Sequence, residues 1–187
     1  MRSAGRRPLL KSPLVWMDLE MTGLDPENGV ILEIATVVTD ASLQVLAEGP
    51  NLSIHYPEEV LRSMETWSRN QHQASGLLDR VRKSPYDCRR AELESLSFLS
   101  RYCKKGESPL CGNSIWQDRR FLIKYMPELE AFLHYRNIDV STLKELVLRW
   151  YPSLPAYVKK KAHLAHSDIL ESISELKYYR EHVFLPR

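Results

Sequence analysis

Asp18 and Glu20 stand one residue apart inside the run LVWMDLEM, residues 14–21. Side chains alternate across a strand, so both acids point to one side, about 7 Å apart along the chain. At an effective dielectric of about 20, two like charges at about 4 Å repel by roughly 4 kcal/mol. Burying such a pair calls for a cation, and grouped carboxylate oxygens suit a hard divalent ion, Mg²⁺ or Mn²⁺. The alternative is an exposed edge strand with two solvated acids. Val15, Trp16, Met17 and Leu19 around them argue instead for a buried strand.

Further acids and bases lie far along the chain. Asp118 follows CGNSIWQ at the start of a helical pattern, where a carboxylate can also serve simply to complement the helix dipole. Asp168 opens the last helical pattern and has the same alternative role. His163 and His166 precede it, and a neutral imidazole is the usual group for taking a proton from water near neutral pH. Asp18, Glu20, Asp118 and Asp168, with His163 as base, form a set that could hold two hard cations about 3.5–4 Å apart and hydrolyse a phosphodiester.

The elements that must bring these residues together follow from periodicity and turn chemistry. Residues 14–21, 30–40 and 44–54 read as strands, the third broken at Gly49-Pro50, with the turn GLDPENG at 23–29. Short turns between them predict an antiparallel meander. Pro57 with Glu58 and Glu59 suits a helix start. Leu93, Leu96, Phe98, Leu99 and Tyr102 recur at helical spacing after Asp87. Residues 108–113 and 135–140 read as short strands and 117–126 as a helix. Thr142 with Glu145 forms a capping-box pattern opening a helix through Trp150. A last helix is expected from Ser167 to His182. Three strands followed by alternating helix and strand imply an α/β fold, a mixed sheet with helices on both faces.

Composition frames these readings. The chain has 187 residues, 43% hydrophobic and 27% charged, as in ordinary globular domains and unlike disordered or collagen-like chains. No apolar run approaches the roughly 20 residues of a membrane helix. Cys88, Cys103 and Cys111 include no Cys-x-x-Cys pair and are odd in number, which points to a reducing, cytoplasmic setting. The net charge is only +2, yet residues 1–11 carry Arg2, Arg6, Arg7 and Lys11 with no acid. Residues 1–13 are expected to be a mobile basic arm, with a transit peptide as the alternative, and 14–187 a single domain.

Longer motifs carry a resemblance. WMDLEMTGLDPE, EIATVVTD, LAEGPNL, ASGLLDRV, CGNS, QDRRFLIKYMPELE, HYRNIDVSTLKEL and the final His-x4-Asp closely resemble the oligoribonuclease family. These are DEDD-type 3′-to-5′ exoribonucleases with a histidine base, on a ribonuclease-H-like mixed five-stranded sheet flanked by helices. The likeness runs from about Leu14 to Phe184. It implies hydrolysis of very short RNA, dinucleotides included, to 5′-mononucleotides with two divalent ions, Mg²⁺ or Mn²⁺. Asp18 would bridge both ions, Glu20, Asp118 and Asp168 would complete their shells, and His163 would deprotonate the attacking water. Leu24 would wedge between bases and Trp67 would stack near the terminal base, although either could be ordinary core. Ser114 and Gln117 would line the site, while Arg136, Ser141 and Thr142 would cap a 5′ phosphate; helix capping is the other use for Ser141 or Thr142. Tyr135 would reach the active site of a neighbouring subunit in a homodimer.

Two departures stand out. HLAHSD carries His166 and Ser167 where the family pattern has an apolar residue and a second acid, so His166 rivals His163 as base. Trp116 occupies a position that is often small, and could tighten the pocket or pack outside it. Two other functions compete: a related exonuclease trimming longer RNA or DNA, which the near-neutral charge disfavours, and a catalytically silent nucleotide-binding module.

Overall fold

The computed structural model describes residues 13–158 and 165–184, so the basic arm up to residue 12 and His163 lie outside the described residues. The elements run β1 (Leu14–Met21), β2 (Ile31–Thr39), β3 (Val45–Ser53), α1 (Glu58–Arg62), α2 (Thr66–Ala74), α3 (Leu77–Lys83), α4 (Cys88–Leu99), β4 (Pro109–Gly112), α5 (Ile115–Tyr125), α6 (Pro127–Phe132), β5 (His134–Asp139), α7 (Val140–Trp150) and α8 (Ala165–His182). The strands form one sheet in the order β3-β2-β1-β4-β5. β1, β2 and β3 are the expected antiparallel meander, and β4 and β5 add in parallel beside β1. Among the described residues no helix is long and apolar enough to cross a membrane. All three cysteines are free.

The alternation along β1 decides where the acids go. Val15, Met17 and Leu19 join a core with Phe98 and Leu99 of α4, Phe121 and Leu122 of α5, and Leu129 of α6. Trp16 points the other way, into a second core with Val140 and Val147 of α7 and Ile169 and Ile173 of α8. Its indole Nε1 donates to Thr39 Oγ1 at 3.0 Å, so the buried polar atom is satisfied. Asp18 and Glu20 share the parity of Trp16 and therefore stand on the α7/α8 face of the sheet.

Several sequence boundaries shift for identifiable reasons. β3 is not broken at Gly49-Pro50. The register with β2 passes from Ala35↔Asn51 to Val37↔Glu48, so Gly49 and Pro50 together oppose Thr36 in a bulge on the sheet edge, where a proline needs no ladder N–H. Helix α7 starts at Val140 rather than at the Thr142 capping box. Asp139 is its cap, accepting from Ser141 N at 2.9 Å, and a carboxylate already in place leaves Thr142 no capping role. Helices α5 and α8 each begin two residues earlier than expected, and α6 follows α5 as a separate short helix because Pro127 interrupts the pattern.

Gly49 admits the ring of Phe98 against the sheet. A Cβ there would lie 2.6 Å from Phe98 Cε1 and 2.9 Å from Thr36 O. Gly49→Ala is therefore expected to cost about 1–3 kcal/mol through overpacking, read as a lower Tm in thermal melts; an unchanged Tm would mean that Phe98 yields freely.

Candidate active site

Helix α8 brings the third acid to the pair on β1. Its apolar stripe, Ile169, Ile173 and Leu176, packs into the second core and sets its first turn over the sheet. One oxygen each of Asp18, Glu20 and Asp168 then lies within 4.8 Å of the others. Asp118 arrives from the opposite helical layer through a gap in the sheet. β4 pairs with β1 only through Val15 and Trp16 and ends at Gly112, so no strand faces the Leu19 N–H on that side. Asp118 Oδ1 takes that place and accepts from Leu19 N at 2.8 Å. A glycine is needed at the end of β4, because a Cβ on Gly112 would sit 3.0 Å from Met17 O. Asp118 is thus not a solvated group serving the helix dipole; it is buried.

Crowding sets the electrostatics. Burial, and next the charges of Asp118, Glu20, Asp168 and Glu33, hold Asp18 well above the usual carboxylate range. Glu20 is pushed from 4.5 to about 7, first by burial and then by Asp168, Glu33 and Asp118, with Arg80 pulling it back. Burial also raises Asp118, against the opposing hydrogen bond from Leu19 N. A group of hard oxygen donors whose charges disfavour one another in a desolvated space fits a divalent metal ion.

Sequence reasoning missed a second ring of residues. Glu33 sits directly opposite Glu20 on β2, fully buried. Its Oε1 accepts from Arg80 Nε at 3.2 Å and Nη2 at 3.0 Å, and from Ser53 Oγ at 3.0 Å. His72 of α2 is buried and donates from Nε2 to Met21 O at 2.8 Å, which leaves Nδ1 as an acceptor 3.8 Å from Glu20 Oε2. Burial holds its pKa below the ordinary histidine value. An acid inside the otherwise apolar run VILEIATVV was the available signal for Glu33. Nothing local marks His72.

The remaining expected residues fall around this pocket in distinct ways. Leu24 and Trp67 are 72% and 71% exposed, so neither is core, and both line a cleft of about 460 Å³ together with Leu19, Glu20 and His72. Gln117 is buried and committed: it donates to Leu24 O and accepts from Arg120 Nη1 at 2.9 Å. Ser114 takes a left-handed backbone, φ +51°, ahead of α5. Such strain persists where neighbours over-determine it. Here Ser114 N donates to Asp139 Oδ1 and to Ser141 Oγ, each at 2.9 Å. Ser141 Oγ donates to Asn113 Oδ1 at 3.0 Å, Asn113 Nδ2 to Ser172 Oγ at 2.7 Å, and Ser172 Oγ to Asp168 O at 2.8 Å. The two serines are thereby tied to the helix of Asp168. Thr142 is exposed in the first turn of α7.

Tyr135 is 73% exposed on β5, its ring stacked on His134 and 5.3 Å from the Arg136 guanidinium. Beneath it, buried Arg119, next to Asp118, donates to His134 O at 2.9 Å, Tyr135 O at 3.1 Å, Asn137 Oδ1 at 2.7 Å and Glu130 Oε1 at 2.8 Å. His166 Nε2 lies 3.0 Å from Glu48 Oε2 of β3. Trp116 is exposed, with the Arg120 guanidinium 5.8 Å from its ring.

Comparison with known proteins fits this arrangement. The exonuclease family RNase_T matches residues 15–176. An oligoribonuclease of Pseudoalteromonas atlantica is 60% identical over 172 residues, covering 91% of this chain and 95% of its own length. One of Dichelobacter nodosus is 56% identical over 175 residues, covering 94% and 97%. The chain belongs to the oligoribonuclease family. As an oligoribonuclease it is a 3′-to-5′ exoribonuclease, and the silent-module alternative falls away. Exonuclease I of E. coli, in the zinc-bound form of its single-stranded DNA complex, superposes with a TM-score of 0.71 at 14% identity, over 92% of this chain and 41% of that one. An exonuclease I in its apo form gives 0.69 at 14% identity, over 91% and 42%. The oligoribonuclease chain spans about two fifths of exonuclease I and shares its ribonuclease-H-like fold.

The raised acids give the metal-free protein a characteristic pH profile. Unfolded, Glu20 loses its proton near 4.5, whereas folded it keeps it to about 7. Its contribution to stability is therefore complete below 4.5 and falls as pH rises to about 7, by an amount on the order of a few kcal/mol. Mg²⁺ is expected to raise Tm more at about pH 8 than at about pH 5, and Asp118→Asn to flatten the fall. An equal Mg²⁺ effect at both pH values would contradict the pocket's electrostatics.

Proposed function

We propose that the chain removes 5′-mononucleotides from the 3′ end of very short RNA, from dinucleotides to roughly five nucleotides, at the carboxylate pocket. The observation that carries this is the convergence of Asp18, Glu20 and Asp168 within 4.8 Å, with Asp118 hydrogen-bonded to the backbone between the first two. Two divalent cations, Mg²⁺ or Mn²⁺, held by Asp18, Glu20, Asp118 and Asp168, supply water activation and charge neutralisation at the leaving oxygen when bound.

The chain's own groups do the rest. Asp118 is fixed by Leu19 N, so its free oxygen is aimed without loss of side-chain freedom on binding. His163 takes the proton of the attacking water, while the Nε2 of His166 is already engaged by Glu48. Leu24 enters between bases and Trp67 stacks on the terminal one, contacts that tolerate any sequence because every base has a π-face. Ser114 lines the site, and Ser141, Thr142 and Arg136 hold a 5′ phosphate, an end-stop that limits length by leaving no room for a further nucleotide. Gln117 serves the site through the Leu24 carbonyl. Tyr135, exposed on β5, completes the pocket of a second copy in a homodimer. The free cysteines accord with a cytoplasmic setting.

Labelled RNAs of two, five and twenty nucleotides with Mg²⁺ test the reading through mononucleotide release. The two shortest are expected to be consumed fastest; preference for the longest would turn the assignment toward a trimming exonuclease. Asp118→Asn is expected to lower turnover more than about a hundredfold with the fold intact. His163→Ala is expected to cost about 10²- to 10⁴-fold, far more than His166→Ala, and the opposite ranking would move the base to His166.

A further inference from the structure

We propose that Tyr125 is a positioning residue that sets the height of Leu24 over the cleft; the proposal rests on the wedge role given to Leu24 above. An exposed leucine at the tip of a loose turn folds back onto apolar surface or moves freely. This one stands out because the backbone around it is braced from several directions.

Part of the bracing is internal to residues 22–30. Asp25 Oδ1 accepts from Glu27 N at 3.0 Å, its Oδ2 from Asn28 Nδ2 at 2.7 Å, and its carbonyl from Gly29 N at 2.8 Å. Thr22 Oγ1 accepts from Val30 N at 2.9 Å and closes the base of the turn. The rest comes from one helix. Gln117 of α5 donates to Leu24 O, Lys124 Nζ donates to Pro26 O at 2.7 Å, and the Tyr125 hydroxyl lies 3.0 Å from Pro26 O and in contact with Gly29 O. Positions 117, 121 and 125 fall on one face of a helix, so a single ridge of α5 grips the turn along its length.

Buried Gln117 holds the Leu24 carbonyl at one side of the turn, and Tyr125 anchors the other side to the core. Its ring stacks on fully buried Phe121 at 6.1 Å, and its own carbonyl accepts from Cys88 Sγ at 3.5 Å. A phenol has one proton and no freedom to follow the loop, so the two carbonyls that share it must come to the ring. Lys124 is a long, half-exposed ammonium that follows the loop instead. Because α5 also carries Asp118, Tyr125 refers the wedge to the same helix that supplies an acid of the pocket. A base bound against Leu24 then meets a surface already held at a fixed height, so the turn's order is paid for before binding.

A double-mutant cycle on a labelled dinucleotide with Mg²⁺ tests this. Wild type, Tyr125→Phe, Leu24→Ala and the double variant are compared for KM and kcat. Tyr125→Phe removes only the hydroxyl and is expected to raise KM roughly five- to tenfold, the effect of one lost hydrogen bond, with kcat within about twofold. Leu24→Ala is expected to raise KM as well, and the double variant to be no worse than Leu24→Ala alone. Lys124→Met, which removes a donor to the same Pro26 carbonyl from outside the core, is expected to give a smaller rise that also vanishes in the Leu24→Ala background. Additive effects, or a fall in kcat at unchanged KM, would overturn the positioning role while leaving the enzyme assignment intact. A wild-type chain inert towards the dinucleotide would overturn the function itself, and with it this inference.

Discussion

Mutual repulsion of carboxylates in a space with little water is the constraint around which this molecule is built. Asp18, Glu20 and Asp168 converge within 4.8 Å, and Asp118 presses on them from the other side of the sheet. No element tolerates this by itself. The central position of β1 supplies the burial, the shortness of β4 leaves the opening through which Asp118 reaches Leu19 N, and the apolar stripe of α8 carries Asp168 in against the repulsion. Arg80 is the nearby cation that opposes the crowding at Glu20, and it is already committed to Glu33. Positive charge of high density is the complement that such a group of acids fits, and the folding energy of both cores opposes their repulsion.

The parts proposed to face substrate share one support. Ser114 precedes α5 and Tyr125 ends it, an eleven-residue helix about 16 Å long. Ser114, tied to Ser141, stands at one end, and Gln117, Lys124 and Tyr125 hold the Leu24 turn along the length of the helix, Gln117 on the Leu24 carbonyl right beside Asp118. The length limit proposed above asks for no basic groove, in keeping with a net charge of only +2.

How much of this was legible depended on the range of each interaction. Asp18 and Glu20 were readable because strand period is local, and the face they occupy followed once Trp16 was seen as core. The convergence of Asp118 and Asp168 was not readable from spacing at all; only the long motifs pointed to it. The Thr142–Glu145 pattern misled because Asp139 already serves both Ser141 N and Ser114 N, a partnership across 25 residues that no helix-start rule contains. Gly49-Pro50 looked like a strand end because the bulge that accommodates it depends on β2 and on Phe98. Glu33 and His72 went unassigned because their importance lies wholly in which carboxylate they meet. The exposure of Leu24 and Trp67 was a choice between two readings that only packing could make.

Arg119 has a consequence of a mechanical kind. One guanidinium, sunk between α5 and β5, holds the carbonyls under His134 and Tyr135 while its neighbour in the helix is Asp118. Strand and helix are therefore joined at one charged side chain, with the exposed tyrosine on one side of it and the acid on the other. A substitution at Arg119 would therefore disturb the β5 surface and the helix of Asp118 together.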